Sequence, residues 1–138
     1  MIILDTNIIS EMMRQTPSQK VVNWLDQQDS ALLYVTSITI AEISYGIHAL
    51  SLGNRRSSLE NAFNNLMNAA FKHRVFSFDE TAAHEYGKLM GLRKDLGRPL
   101  SILDGQIAAI ALVQRKIIAT HNIRDFADCG LELINPFE

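Results

Sequence analysis

Met1-Ile2-Ile3-Leu4-Asp5-Thr6-Asn7 is the stretch on which the fold turns. Ile2–Leu4 is an unbroken apolar run. It suits a strand buried on both faces, as in a parallel sheet. Asp5, Thr6 and Asn7 then bring side chains that favour turns and helix N-caps. If Ile2–Leu4 is a central strand, Asp5 stands at its carboxyl end, where open parallel sheets bind their ligands.

Outward from this start, strand and helix signals alternate. Ile8 to Arg14 reads as a short helix, broken at Pro17-Ser18, after which Val21, Val22 and Leu25 share the face of another. Leu32–Thr36 predicts a second strand and Ser37–Ser51 a helix. Gly53-Asn54 is a break. Arg56–Lys72 carries Leu59, Ala62, Phe63, Leu66 and Ala70 at helical spacing. Val75–Phe78 predicts a strand, and Glu80–Leu96 a helix stopped by Gly97. Ile102–Gln114 reads as a helix, Ile117–Thr120 as a strand and Leu131–Ile134 as the last strand. This alternation predicts an α/β sandwich of three layers, a central parallel sheet with helices on both faces. Its crossovers should be right-handed. No repeat or linker divides the 138 residues, so one domain over 1–138 is expected.

Composition narrows the function. Hydrophobic residues make up 47% of the chain, enough for a real core, and the single cysteine, Cys129, can form neither an internal disulfide nor a cysteine-based zinc site. The N-terminal apolar run is too short for a membrane span and lacks the basic flank of a signal peptide. A cytoplasmic protein without membrane association is the expectation. The net charge of −2 argues against a general nucleic-acid binder. The charge is uneven, however. Residues 1–50 hold two basic and five acidic side chains (−3), residues 51–100 eight and five (+3), and residues 101–138 three and five (−2). An acidic beginning and end around a basic middle could pair a metal site with a phosphate-facing surface, or could simply be solvated helix faces.

Three acids stand out by position. Asp5 follows the first strand, and capping is its bland role. Glu42 falls among Ile38, Ala41, Tyr45 and Ala49, which places it on an apolar stripe, where a charge without a partner is costly. Its bland role is the acid of a capping box begun by Thr39. Asp104 sits likewise among Leu100, Ile107, Ala108 and Ala111, with a capping box from Ser101 as the alternative. Asn122 and Asp125 follow the strand 117–120 closely enough to turn back over its end; a turn residue and a helix cap are their ordinary uses. Acids on three different connections would all face one edge of the sheet. Clustered carboxylates repel until a cation neutralises them. A hard divalent ion, Mg²⁺ or Mn²⁺, suits oxygen ligands. His48, His73, His84 and His121 show no paired-ligand spacing, and only His121 falls near the proposed site.

The stretches MIILDTNIISE (1–11), TSITIAEISYGI (36–47), ILDGQIAAIAL (102–112) and IATHNIRDF (118–126) together resemble the four motifs of the PIN domain, in the wording of VapC-type toxins of the FitB-like branch. The resemblance covers nearly the whole chain. It implies a parallel α/β sandwich and a metal-dependent endoribonuclease, the toxin of a toxin–antitoxin pair. By position, it implies Asp5, Glu42 and Asp104 as metal ligands. Relatives often carry an acid where Asn122 stands here, so the fourth position is Asn122 or Asp125. Thr6 and Asn7 match residues that orient the first acid or contact a water or phosphate. A VapB-type antitoxin, promoter DNA bound only through that antitoxin, and a homodimer are also implied.

The chemistry expected is in-line hydrolysis of an RNA phosphodiester, leaving 3′-hydroxyl and 5′-phosphate ends. One or two Mg²⁺ ions would activate water and neutralise the phosphate oxygens. Arg124 and the basic middle segment would grip the backbone of single-stranded or looped RNA. The rival reading is an antitoxin-binding co-repressor module with little catalysis, kept open by the amide at position 122. A receiver-like domain is disfavoured because Lys116 precedes its strand instead of following it.

Overall fold

The computed structural model describes residues 1–138. Five strands form one parallel sheet in the order β3-β2-β1-β4-β5. They are β1 (Ile2–Leu4), β2 (Leu33–Thr36), β3 (Val75–Phe76), β4 (Ile117–Ala119) and β5 (Leu133–Ile134). Strand β1 lies at the centre, with Ile3 beside Tyr34 of β2 and Ile118 of β4. Seven helices fill the connections: α1 (Thr6–Met12), α2 (Gln19–Asp26), α3 (Ser37–His48), α4 (Asn54–Ala70), α5 (Glu80–Asp95), α6 (Ile102–Gln114) and α7 (Ile123–Phe126).

The alternation of side chains along a strand divides the core in two. Ile2, Leu4, Leu33, Val35 and Ala119 point to one face and pack with Ile8, Ile9, Val21, Ile43, Ile47, Phe63 and Phe71 from α1 to α4 and the residue that follows α4. Ile3 and Ile118 point to the other, against Ala82, Leu89, Ile107, Ala108, Ile110 and Ala111 of α5 and α6. All three residues of β1 are buried, which is why the run carries no polar alternation. The three-layer α/β sandwich expected from the sequence is present. No helix is long and apolar enough to cross a membrane.

The chain runs outward from β1 through β2 to β3, then returns to add β4 and β5 on the other side of β1. The order therefore reverses between β1 and β4, and a crevice opens there beyond the carboxyl ends. Two glycines matter to this arrangement. Gly97 takes φ +72° just past α5, a left-handed conformation that side chains disfavour, and stops the helix as its position suggested. Gly105 lets α6 lie against α5, since a Cβ there would meet Met90 Sδ at 2.6 Å.

Several boundaries differ from the sequence reading. Helix α1 begins at Thr6, not Ile8, because the Asp5 side chain accepts the Thr6 N–H and starts the helix early. Strand β2 loses Leu32 to a 3₁₀ turn, Ser30–Leu32, capped by Asp29. Strand β3 ends at Phe76, before the Phe78 N–H turns aside to the Ser37 hydroxyl. The buried stripe of α3 is Thr39, Ile43 and Ile47. Tyr45, assigned to that stripe from its spacing, is 77% exposed. Glu42 is thus half-buried at the edge of the stripe, not on it.

Candidate active site

The site is assembled at the switch point by hydrogen bonds between the residues after β1 and those after β4. The Asp5 backbone N–H continues the ladder to Ala119 O (2.9 Å). The Asp5 carboxylate accepts from Thr6 N–H at 2.8 Å, from the Thr120 hydroxyl at 2.8 Å and from the Asn7 amide at 3.2 Å. Asn7 Oδ1 accepts the His121 N–H at 3.2 Å, and Thr120 Oγ1 accepts the Asn122 N–H at 3.0 Å. Asp5 therefore serves both as the N-cap of α1 and as the buried centre of a polar network.

Glu42 is fixed from the same segment. The Thr6 hydroxyl donates to Glu42 Oε1 at 2.8 Å and lies 2.9 Å from the Thr39 hydroxyl. The N-cap of α3 is Thr36, whose side chain accepts the Thr39 N–H, so Glu42 is not the acid of a capping box. Asp104 lies in the first turn of α6, and its N–H is held by the Ser101 hydroxyl at 3.2 Å. Here the capping reading holds for half of the box, since the Ser101 hydroxyl caps the Asp104 N–H.

Asp5, Glu42 and Asp104 line one cavity of about 620 Å³, together with Thr6, Asn7, Ser10, Glu11, Arg14, His121, Asn122 and Phe137. Asp125 and Arg124 are exposed on α7 and do not line it. Asn122, not Asp125, takes the N-cap position of α7. Asp125 is still close enough to act electrostatically on Asp104. A second cavity of about 880 Å³ continues from the first through Thr6, Ser10, Arg14 and Glu42 toward Ile43, Ile47, Asn54, Arg55 and Leu59.

Burial pushes the Asp5 carboxyl up from 3.8 to about 6, against the hydrogen bonds of Thr120 and Thr6, and the charges of Asp104 and Glu42 push in the same upward direction. Burial likewise raises Asp104, the Ser101 hydroxyl pulls it back and the Asp125 charge raises it further. None of the four ion pairs in the chain involves Asp5, Glu42 or Asp104. Asp5, Glu42 and Asp104 thus share the cavity with a fourth acid, Glu11, which is paired with Arg14, and the donors on Asp5 and Glu42 are neutral. An all-oxygen set without a basic partner fits a hard cation. No group of three or more Asp, Glu, His or Cys side chains is drawn together tightly enough to hold an ion alone.

The basic middle of the chain is less available than its charge suggested. Arg93 is buried, donating to Arg98 O, Ala127 O and Cys129 Sγ. Arg74 donates to Leu33 O and Ala70 O. Of that segment's lysines and arginines, Arg55 alone reaches either cavity.

Sequence reasoning passed over Glu11, which is 7% exposed and paired with Arg14 at 3.2 Å. Asn7, Ser10, Glu11 and Arg14 follow i, i+3, i+4, i+7 spacing, a polar stripe along α1 and just past its end that could have been read. Phe137 carried no signal, because only the folded chain brings the C-terminal segment to the site.

A family model, the PIN domain, matches residues 2–130. The chain is 38% identical to VapC ribonuclease Y4jK of Sinorhizobium fredii over 138 residues, spanning 100% of this chain and 99% of the relative. It is 33% identical to toxin FitB of Neisseria gonorrhoeae over 137 residues, covering 99% of each. Its fold superposes on a chain in the structure of FitAB bound to the IR36 DNA fragment with a TM-score of 0.93 and 33% identity, covering 100% of this chain and 96% of that one.

Proposed function

This chain belongs to the PIN-domain family as a ribonuclease toxin of the VapC type, and we propose that it cuts RNA by Mg²⁺-dependent hydrolysis at the Asp5–Glu42–Asp104 cavity. The observation that carries the reading is the meeting of Asp5, Glu42 and Asp104, from three separate connections, in one cavity where the single arginine on the wall, Arg14, is paired with Glu11 and with none of the three.

Asp5, Glu42 and Asp104 would hold the ion, with Asn122 at the fourth position. Bound Mg²⁺, or Mn²⁺ in its place, supplies an acidified water and charge neutralisation at the phosphate. The protein's part is orientation. Thr6 holds one oxygen of Glu42, leaving the other to the cavity. Thr120 and Asn7 fix the orientation of the Asp5 carboxylate, which would hold the ion. Burial first, and then the charges of neighbouring acids, hold the Asp5 and Asp104 carboxyls above the usual carboxylate range, and a bound cation would lower both.

The same geometry supports an antitoxin partner, through which alone promoter DNA would be bound. The larger cavity has an apolar floor of Met13, Ile43, Ile47 and Leu59 that runs into the acids. An amphipathic antitoxin segment could lay its apolar face there and bring a cationic side chain onto Glu42 and Asp104, in competition with the metal. The FitAB complex of similar fold, bound to DNA, favours such an assembly.

The test is RNA cleavage by purified antitoxin-free protein with Mg²⁺. Asp104→Asn and Glu42→Gln should each reduce the rate by roughly 10³-fold or more, the range of removing a preorganised charge from an active site. Both should melt within a few degrees of wild type. Wild-type activity in either folded variant, or undiminished cleavage in EDTA, would refute the assignment.

A further inference from the structure

Phe137 lies beyond residues 2–130, the part of the chain that the family model spans. It is nevertheless the only hydrophobic residue among the eleven that line the acidic cavity. The segment after β5 brings it there. Asn135 Oδ1 accepts the Phe137 N–H at 3.0 Å, while Asn135 Nδ2 donates to His121 O at 3.4 Å and Glu138 Oε1 at 3.3 Å. The Phe137 and His121 rings then meet edge to face, with centroids 4.3 Å apart and planes at 67°. His121 is exposed, and its backbone is tied to Asn7 in the network that holds Asp5. Two rings therefore stand at one wall of a cavity whose remaining lining is polar or charged.

Hydrolysis at the phosphate uses neither ring. A single-stranded substrate, however, must give up base stacking to lie in such a cavity, and aromatic faces replace that stacking whatever the base. We propose that Phe137, braced by His121, is a stacking platform for a base next to the scissile phosphate, and that it governs how RNA is held and where it is cut. The inference rests on the nuclease reading of the acids and names the part of the substrate that the neighbouring wall receives. Phe137 also touches the core on the β1–β2 side, so a packing role must be separated from a stacking role.

The experiment uses the full chain with Mg²⁺ and a single-stranded oligoribonucleotide whose cut site has been mapped. A series of the same RNA carries one abasic ribose at each position flanking the cut. Wild type, Phe137→Leu and Phe137→Trp are compared for KM, kcat and cut position. Stacking on one ring predicts that Phe137→Leu raises KM roughly tenfold on intact RNA with kcat nearly unchanged, and that Phe137→Trp restores it. It also predicts one flanking position at which the abasic RNA is bound equally by wild type and Phe137→Leu. Wild-type KM in Phe137→Leu, or the same KM ratio on every abasic RNA, would make Phe137 a packing residue. Should Phe137→Leu fold poorly, the wild-type profile alone decides: no flanking position whose abasic substitution weakens binding overturns the proposal. Failure of wild type to cut any RNA sinks the nuclease reading instead, and this inference with it.

Discussion

Asp5 and Arg93 are each 4% exposed, and both are ionisable, yet the chain treats the two buried charges in different ways. The Arg93 guanidinium is surrounded by acceptors, donating to the carbonyls of Arg98 and Ala127 and to Cys129 Sγ. It fastens the end of α5 to the segment behind α7, and burial there serves the fold. Asp5 also has its donors, from Thr6, Thr120 and Asn7, but it shares a cavity with Glu42 and Asp104. Hydrogen bonding alone therefore does not distinguish a structural charge from a functional one. Like-charged neighbours without a counter-ion do, because an arrangement that destabilises the free protein persists where something binds it.

The largest effect on stability should come from Arg93. Arg93→Ala leaves the Arg98 and Ala127 carbonyls without this donor and opens a hole between α5 and the chain after α7. The expected loss is about 3 kcal/mol by urea denaturation, from unmet acceptors and lost packing together. Cleavage per folded molecule should stay within about twofold, the margin of a residue outside the catalytic groups. A variant as stable as wild type, or one folded but inactive, would erase the contrast drawn above.

The two residues also differ in how legible they were. Asp5 announced itself, since an acid directly after an apolar run fixes its place at the sheet edge once the run is a strand. The five strands and the first six helices follow from the same periodic patterning, with errors of a few residues where a side chain caps early or late, as Asp5 and Asp29 do; the four-residue α7 is too short to show a period. Glu42 was picked out for a partly mistaken reason. Its neighbour Tyr45 faces solvent, and what draws Glu42 inward is the Thr6 hydroxyl, 36 residues away in sequence. Arg93 was unreadable: an arginine in the last turn of a helix looks like a dipole partner on the surface. Its burial depends on carbonyls at positions 98 and 127, which no local pattern reveals. Phe137 was silent for the same reason.

A smaller effect should separate wild type from Asp5→Asn in metal-free buffer. The folded-state value of Asp5 is raised from 3.8 to about 6, so the native state binds the extra proton. The stability this gives is complete below about pH 4 and is lost as pH rises through about 6, a swing of at most about 3 kcal/mol. Asp5→Asn removes the charge at every pH but cannot accept all three hydrogen bonds. It should therefore be more stable than wild type by about 1–2 kcal/mol at pH 8 in EDTA, the swing less the lost bonds. The gap should close as pH falls below about 6 and reverse by about pH 4, where only the lost bonds remain, and Mg²⁺ should narrow it at pH 8 by stabilising only wild type. Equal pH dependence of the two proteins would show that Asp5 carries no unrelieved charge.

The smallest effect tests where the acidic set ends. Asp125 raises the Asp104 carboxyl without lining the cavity, whereas Asn122 lines it and is anchored to Thr120. If Asp125 acts only through its field, Asp125→Asn lets Asp104 ionise at lower pH. The acid limb of the rate profile then moves to lower pH, and kcat at neutral pH changes by less than about threefold, as befits an exposed charge screened by solvent. Asn122→Ala should cost more, because it removes a group from the cavity wall. The reverse ranking, with Asp125→Asn inactive, would mean that α7 turns inward when the ion binds and that Asp125 is the fourth ligand. A helix of only four residues, held by Phe126 beneath it, is short enough to make that reversal worth measuring.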